Sequence, residues 1–163
     1  MALNIKRART KIAFYEDRAI GERVTAAQAA LAEAKSKASG QLASKAVREA
    51  EKNLDAVRAE ALETVLDITL EALPRKRWAE AEESNPPRDG NGPDETFGLN
   101  TATILREVLP LSVVEVKQRA TGDLRADITA EDWVEALDEI DDGQYSALFL
   151  AVNNLNRTAA NPF

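Results

Sequence analysis

The side chains of this 163-residue chain that could support chemistry are mostly carboxylates. The sequence contains no Cys and no His, which removes thiol nucleophiles, imidazole bases and the usual ligands of zinc, copper and haem iron. Carboxylate pairs such as Glu82-Glu83 and Asp141-Asp142 lie among polar residues, whereas a proton-transferring carboxyl needs apolar surroundings. We therefore predict that the protein is not an enzyme, with no catalytic residues and no cofactor.

One loop has the composition of a calcium site without its spacing. In the stretch that begins at Asp89, the fifth loop position is Pro93, the glycine position is Asp94 and the closing glutamate position is Asn100. Gly and Pro at this density are typical of a tight loop. We predict no metal site in this loop.

Charge is unevenly distributed along the chain. The net charge of −7 argues against general nucleic-acid binding. Residues 1–23 carry six Lys and Arg against three acids, whereas residues 123–142 carry nine acids against Arg125 alone. Two solvated faces explain this pattern, and attraction between the two segments or between neighbouring copies is the alternative.

The sequence also predicts no membrane partner. No apolar stretch approaches the roughly 20 residues of a membrane span, and the first residues lack the apolar core of a secretion signal. The absence of disulfides is expected in a reducing cytoplasm.

Two apolar seams with helical spacing dominate the first half of the chain. They consist of Val24, Ala27, Leu31, Ala34 and Ala38, then of Val47, Ala50, Leu54, Val57 and Ala61. The seams are out of phase and Ser39-Gly40 separates them, and Gly is common just past a helix end. We predict a coiled-coil-like, Ala-rich helical hairpin over residues 22–63, preceded by a basic segment over 1–21. A single long helix with a stutter is the alternative.

The rest of the chain is predicted to form a small helical bundle over residues 64–156, followed by a frayed tail over 157–163. Residues 64–70 are rich in β-branched side chains, so a short strand and a continuation of the preceding helix are both consistent with them. The predicted fold class is therefore mainly α. Further signals are Pro74 at a helix start, a loop over 85–93, a capping box from Thr129 to Asp132, and a final helix over 144–155.

Five short motifs follow one another in this second half. They are Ala72-Leu73-Pro74-Arg75-Lys76-Arg77-Trp78, Asn85-Pro86-Pro87-Arg88, Gly98-Leu99-Asn100, Ile128-Thr129-Ala130-Glu131-Asp132-Trp133 and Leu155-Asn156. This ordered set resembles the tail assembly chaperones of long-tailed, siphovirus-type phages of actinobacteria. The resemblance covers roughly residues 45 to 156. The chain departs from the family pattern between Val114 and Asp127 and in its basic first 20 residues.

The resemblance implies a non-enzymatic role in the host cell cytoplasm. Such a protein would bind the tape measure protein, keep it soluble while tail tube subunits assemble around it, and be missing from the mature virion. This chain would match the shorter of the two forms that a frameshift produces in that family. The alternative is a permanent virion component of the tail or the head–tail junction, and a third hypothesis is a regulator that binds nucleic acid through its basic N-terminus.

Candidate partner-binding residues come from the aromatic and loop positions of the second half. Trp78 and Trp133 lie near helix starts among charged residues, where they could be core anchors or exposed binding residues. The candidate set is Trp78, Pro86, Pro87, Arg88, Trp133, Tyr145 and Phe149. Self-association through the Ala-rich seams is a further expectation.

Overall fold

The computed structural model describes residues 3–158, apart from the side chains of residues 41–43. Within these residues there are three strands and seven helices. The strands are β1 (Arg9–Tyr15), β2 (Val65–Glu71) and β3 (Val113–Gln118). The helices are α1 (Ile20–Ser36), α2 (Gly40–Glu63), α3 (Arg75–Ser84), α4 (Gly92–Phe97), α5 (Ile104–Ser112), α6 (Ala130–Glu139) and α7 (Asp142–Arg157).

The predicted fold class, a helical hairpin followed by a helical bundle, is wrong. The three strands form an antiparallel sheet in the order β1-β2-β3, and the helices are interleaved with the strands along the chain. The basic N-terminal segment holds β1, where Arg9 and Lys11 are exposed while Phe14 is buried. This alternation of exposed and buried positions is the pattern of a strand with one face toward a core.

Backbone hydrogen bonds at the strand ends show the pairing directly. Ala72 N donates to Ala8 O at 2.9 Å and Glu16 N donates to Thr64 O at 2.8 Å, one bond at each end of the β1–β2 pair. On the other side of β2, Arg119 N donates to Val65 O at 2.9 Å. Residues 65–71 thus form a strand, paired on both sides, and are not a continuation of α2, which ends at its cap residue Thr64.

The described residues divide into two compact units, one made of residues 3–12, 67–116 and 124–158, the other of residues 13–66 and 117–123. The first unit has its core around α5, which packs against α3, α6 and α7. Fully buried side chains of this core include Ile68, Leu70, Ile104, Leu105, Val108, Leu109, Leu148 and Val152. They come from a strand and two helices, so the sheet and the helices share one hydrophobic core.

The second unit contains α1 and α2 as an antiparallel pair. Arg23 on α1 forms an ion pair with Glu60 on α2 at 2.5 Å, and Lys35 lies 3.5 Å from Glu51. The backbone of Gly40 has a φ of 82°, in the left-handed region that favours glycine, so the chain reverses where Ser39-Gly40 predicted a break. Residues 20–63 are therefore two helices and not one.

Outside the sheet, some of the predictions made from short sequence signals are confirmed and others are not. The capping box predicted before α6 is confirmed, because Thr129 Oγ1 accepts from Asp132 N and Asp132 Oδ2 accepts from Thr129 N at 2.6 Å. The loop predicted over residues 85–93 contains the start of α4 instead, with Asn91 as its cap. Most of the predicted tail over 157–163 lies outside the described residues. No helix in the described part of the chain is both long and apolar enough to cross a membrane.

Candidate partner-binding site

The segment that joins α3 to α5 is organised around one buried carboxylate. Asp94 has no exposed surface, and its oxygens accept hydrogen bonds from the backbone N, Nε and Nη2 of Arg88 at 3.0, 2.7 and 2.9 Å. Thr101 donates to the same carboxylate from its backbone N at 3.0 Å and from Oγ1 at 2.7 Å. The hydrogen bonds from Arg88 are the main cause that holds the pKa of Asp94 far below its usual range.

The same segment is attached to its neighbouring helices through Asn85. Its side-chain Nδ2 donates to Ala81 O at 2.8 Å and to Glu107 Oε2 at 2.9 Å, and its Oδ1 accepts from Thr103 Oγ1 at 2.7 Å. Asn100 N donates to the backbone O of Asn85 at 2.8 Å. The motifs that begin at Asn85 and end at Asn100 therefore contact each other.

The first and last of the five motifs also meet. Asn156 Oδ1 accepts from Leu73 N at 2.7 Å, and its Nδ2 donates to Val152 O at 2.8 Å. The guanidinium of Arg157 lies over the ring of Trp78, 6.0 Å from its centroid, and its Nε donates to Glu82 at 3.1 Å. The C-terminal end of α7 is thereby held against α3 and the residues that precede it.

We call the segments joined by these contacts, residues 73–103 and the C-terminal end of α7, the frame. An open apolar cavity lies beside the contacts of this frame, where α4 and the segment after it face the N-terminal half of α7. It has a volume of about 450 Å³, and we call it the α7 groove. Its lining residues are Pro93, Phe97, Thr101, Ala102, Tyr145, Ser146, Phe149 and Leu150. Nearly all of them are apolar or small, so this surface is suited to a partner with apolar side chains.

Aromatic packing and one hydrogen bond give the α7 groove its shape. The rings of Phe97 and Phe149 meet edge to face, with centroids 4.9 Å apart and an interplanar angle of 85°. Tyr145 Oη donates to Thr101 O at 2.8 Å, and burial raises the pKa of the Tyr145 phenol. Leu150 at the rim keeps 45% of its surface exposed.

The candidate residues from the sequence occupy three different settings. Trp78 and Trp133 are buried, at 7% and 5% exposure. Pro86, Pro87 and Arg88 are exposed on the segment before α4, although the Arg88 guanidinium is paired with Asp94. Tyr145 and Phe149 line the α7 groove. Trp133 also lines a second cavity along β3, whereas Tyr145 and Phe149 are the two candidates that share one cavity.

Sequence reasoning missed the other wall of the groove. Pro93 and Phe97 belong to α4, which lies in a Gly- and Pro-rich stretch that predicts a loop. A signal was present in Asn91, whose side chain accepts from Asp94 N at 3.1 Å and caps α4, with a proline directly inside the helix. An Asn followed by Pro two residues later could have predicted this short helix.

Neither a metal-binding cluster in the described residues nor a similar known protein indicates a function for this chain. Among residues 3–158 no group of three or more acidic side chains is arranged to hold a metal ion. No known protein family, no curated protein and no solved structure matches this chain.

Proposed function

We propose that this protein is a non-enzymatic tail assembly chaperone of a long-tailed phage. It binds the tape measure protein in the host cell cytoplasm, keeps it soluble and helps recruit tail tube subunits, and it leaves before the virion matures. The proposal starts from the ordered motifs between residues 72 and 156. The observation that carries it is the α7 groove, an open apolar surface beside the frame to which four of those five motifs contribute.

The contacts between motifs support the proposal because they give the resemblance a physical basis. Leu73 and Asn156 are 83 positions apart and share a hydrogen bond, and Asn85 is bonded to Asn100 and Thr103. Residues that only pack in a core do not need side chains that can form these specific hydrogen bonds. A set of motifs that maintains one frame is what a shared fold of a binding protein requires.

The dimensions of the α7 groove suit a helical client. A tape measure protein is long and amphipathic, and the apolar face of such a helix presents side chains at intervals of three or four residues. A cavity of about 450 Å³ lined by two Phe side chains and Leu150 accommodates a few of them. Weak contacts of this size, repeated by many chaperone copies along one client, would cover it without binding it permanently.

Co-expression with the tape measure protein of the same phage tests this function. We expect the wild-type chain to keep the client in the soluble fraction, and Leu150→Glu to lose most of that effect because it places a charge on the rim of the groove. Leu62→Glu is the matched control. Leu62 is also a leucine at 45% exposure, but it lies on α2 in the other unit.

Two outcomes would overturn the proposal. If the client precipitates equally with and without the wild-type chain, the chain is not its chaperone. If mass spectrometry detects this protein in purified mature virions at the copy number of a structural component, the alternative of a permanent tail or head–tail component replaces it.

A further inference from the structure

The α7 groove opens beside the point at which the described part of the chain ends. Arg157, the last residue of α7, donates from Nη1 to the backbone O of Phe97. The ring of Phe97 lines the groove and meets the ring of Phe149 edge to face. Residues that follow α7 therefore leave the helix next to one wall of the groove.

The sequence continues after Thr158, the last described residue, with residues 159–163, which we call the 159–163 segment. Leu150 at the rim of the groove precedes Thr158 on α7. The two residues are about two helical turns apart, a distance of roughly 12 Å along the helix axis. A fully extended chain advances by about 3.4 Å per residue, so the segment can span up to roughly 17 Å. It is therefore long enough to return from Thr158 to the rim.

The 159–163 segment matches the groove in its chemistry. Its residues are Ala159, Ala160, Asn161, Pro162 and Phe163, and none of them is charged. The described residues that line the groove are likewise uncharged, and three of them are the aromatic residues Phe97, Tyr145 and Phe149. A further aromatic ring packs favourably against such rings. Phe163 is therefore the residue of the segment that fits the groove best.

The groove is more accessible to the 159–163 segment of its own chain than to that of a second copy. A segment connected to α7 through Thr158 has an effective concentration on the order of millimolar at the neighbouring groove. The same segment of a second copy is present only at the protein concentration. A weak contact is thus sufficient to hold the segment within its own chain.

We propose that the 159–163 segment binds in the α7 groove of its own chain, with Phe163 packed against Phe97 and Leu150. The segment covers the end of the groove next to Arg157 when no client is present. One aromatic side chain makes a contact that a longer apolar client can displace. This regulation of client binding rests on the proposed function, whereas the contact itself does not.

Paramagnetic relaxation enhancement in NMR spectra tests the contact. The chain contains no Cys, so Ala160→Cys provides a single site for a nitroxide spin label and leaves Phe163 in place. We expect the label to broaden the amide signals of Phe97 and of residues 146–150. Adding Phe163→Ser to the labelled chain keeps the same connection to α7 and removes the aromatic ring. The enhancement at these residues should then fall by at least about fivefold, because an apolar contact is lost.

Three further variants of the labelled chain control for the choice of residue. Phe163→Leu retains an apolar side chain and should keep most of the enhancement. Asn161→Ser changes a polar residue of the same segment and should leave the enhancement unchanged. Leu150→Glu alters the groove and should reduce the enhancement as Phe163→Ser does, because it places a charge at the rim. Circular dichroism of each variant controls for folding.

A mixed sample distinguishes contact within one chain from contact between two copies. It contains spin-labelled chains without isotope and isotope-labelled chains without spin label, so only contact between copies broadens the observed signals. We expect no broadening of residues 146–150 in this sample.

Two results would overturn the inference. The enhancement could be equal with Phe163 and with Ser at that position, or it could arise in the mixed sample as strongly as within the labelled chain. No client is present in either measurement, so these results leave the proposed function standing. In the complex with the tape measure protein the enhancement should disappear, and its persistence there would contradict displacement of the segment by the client.

Discussion

At the scale of single residues, the buried carboxylate of Asp94 best shows how a side chain maintains the candidate site. It accepts five hydrogen bonds from Arg88 and Thr101, and Asn91 caps α4 from the preceding turn. Pro93 and Phe97, which line the α7 groove, lie on the helix that this carboxylate attaches to the frame. Asp94 is thus a positioning residue for one wall of the groove.

The acid stability of the protein should depend on Asp94. Its pKa in the folded chain lies below its value in the unfolded chain, so its stabilising contribution is present at neutral pH and is lost as the pH falls below the unfolded value. We expect Asp94→Asn to be less stable than the wild type at neutral pH and to lose less stability between about pH 5 and pH 2. Urea unfolding at a series of pH values measures both effects.

The control for this experiment is Asp89→Asn, a change at an exposed carboxylate in the same segment. We expect its stability to follow the wild-type curve at each pH. A shallow acid dependence in both variants, or in neither, would show that Asp94 does not have this role.

A second residue-scale prediction concerns Asn156. Its amide satisfies the backbone N of Leu73, and Asn156→Ala leaves that donor without its partner, which should cost about 1–3 kcal/mol of the free energy of unfolding. The matched control is Asn154→Ala, an exposed position on the same helix, for which we expect a change within about 0.5 kcal/mol. Equal losses in the two variants would contradict the assigned contact.

Among the strands and helices, the sheet depends most on β2, because both other strands pair with it. Ile68 and Leu70 on β2 have no exposed surface, and both neighbouring strands pair with β2. We expect Ile68→Ala to reduce the free energy of unfolding by about 2–5 kcal/mol, because it leaves a cavity in the core. Leu62→Ala on α2, where the side chain is 45% exposed, should have a much smaller effect in the same denaturant titration. Similar losses at the two positions would contradict the burial of β2.

Sequence reasoning recovered the elements whose signal is local. The apolar seams of α1 and α2 repeat at helical spacing, and the capping box of α6 lies within four residues, so both are visible along the chain. The sheet depends on partners far apart in sequence, such as Ala8 with Ala72 and Val65 with Arg119. No local sequence pattern predicts that pairing. In β1, the basic residues made the alternation of exposed and buried positions difficult to recognise.

The candidate site divides in the same way. Tyr145 and Phe149 are found from the sequence because they share the apolar face of a long helix. Phe97 was missed because α4 has only six residues and lies among Gly and Pro, where rules for single positions predict a loop. The sequence therefore predicts the wall of the groove that α7 forms, but not the wall that α4 forms.

For the molecule as a whole, the proposed function requires that the α7 groove binds the tape measure protein. Hydrogen–deuterium exchange on the co-purified complex tests it most directly, because exchange reports which backbone segments a client covers. We predict slower exchange in residues 93–102 and 145–150 of the complex than in the chain alone, with unchanged exchange in α2 as the internal reference. Failure to co-purify with the client, or protection that excludes both groove segments, would contradict the claim.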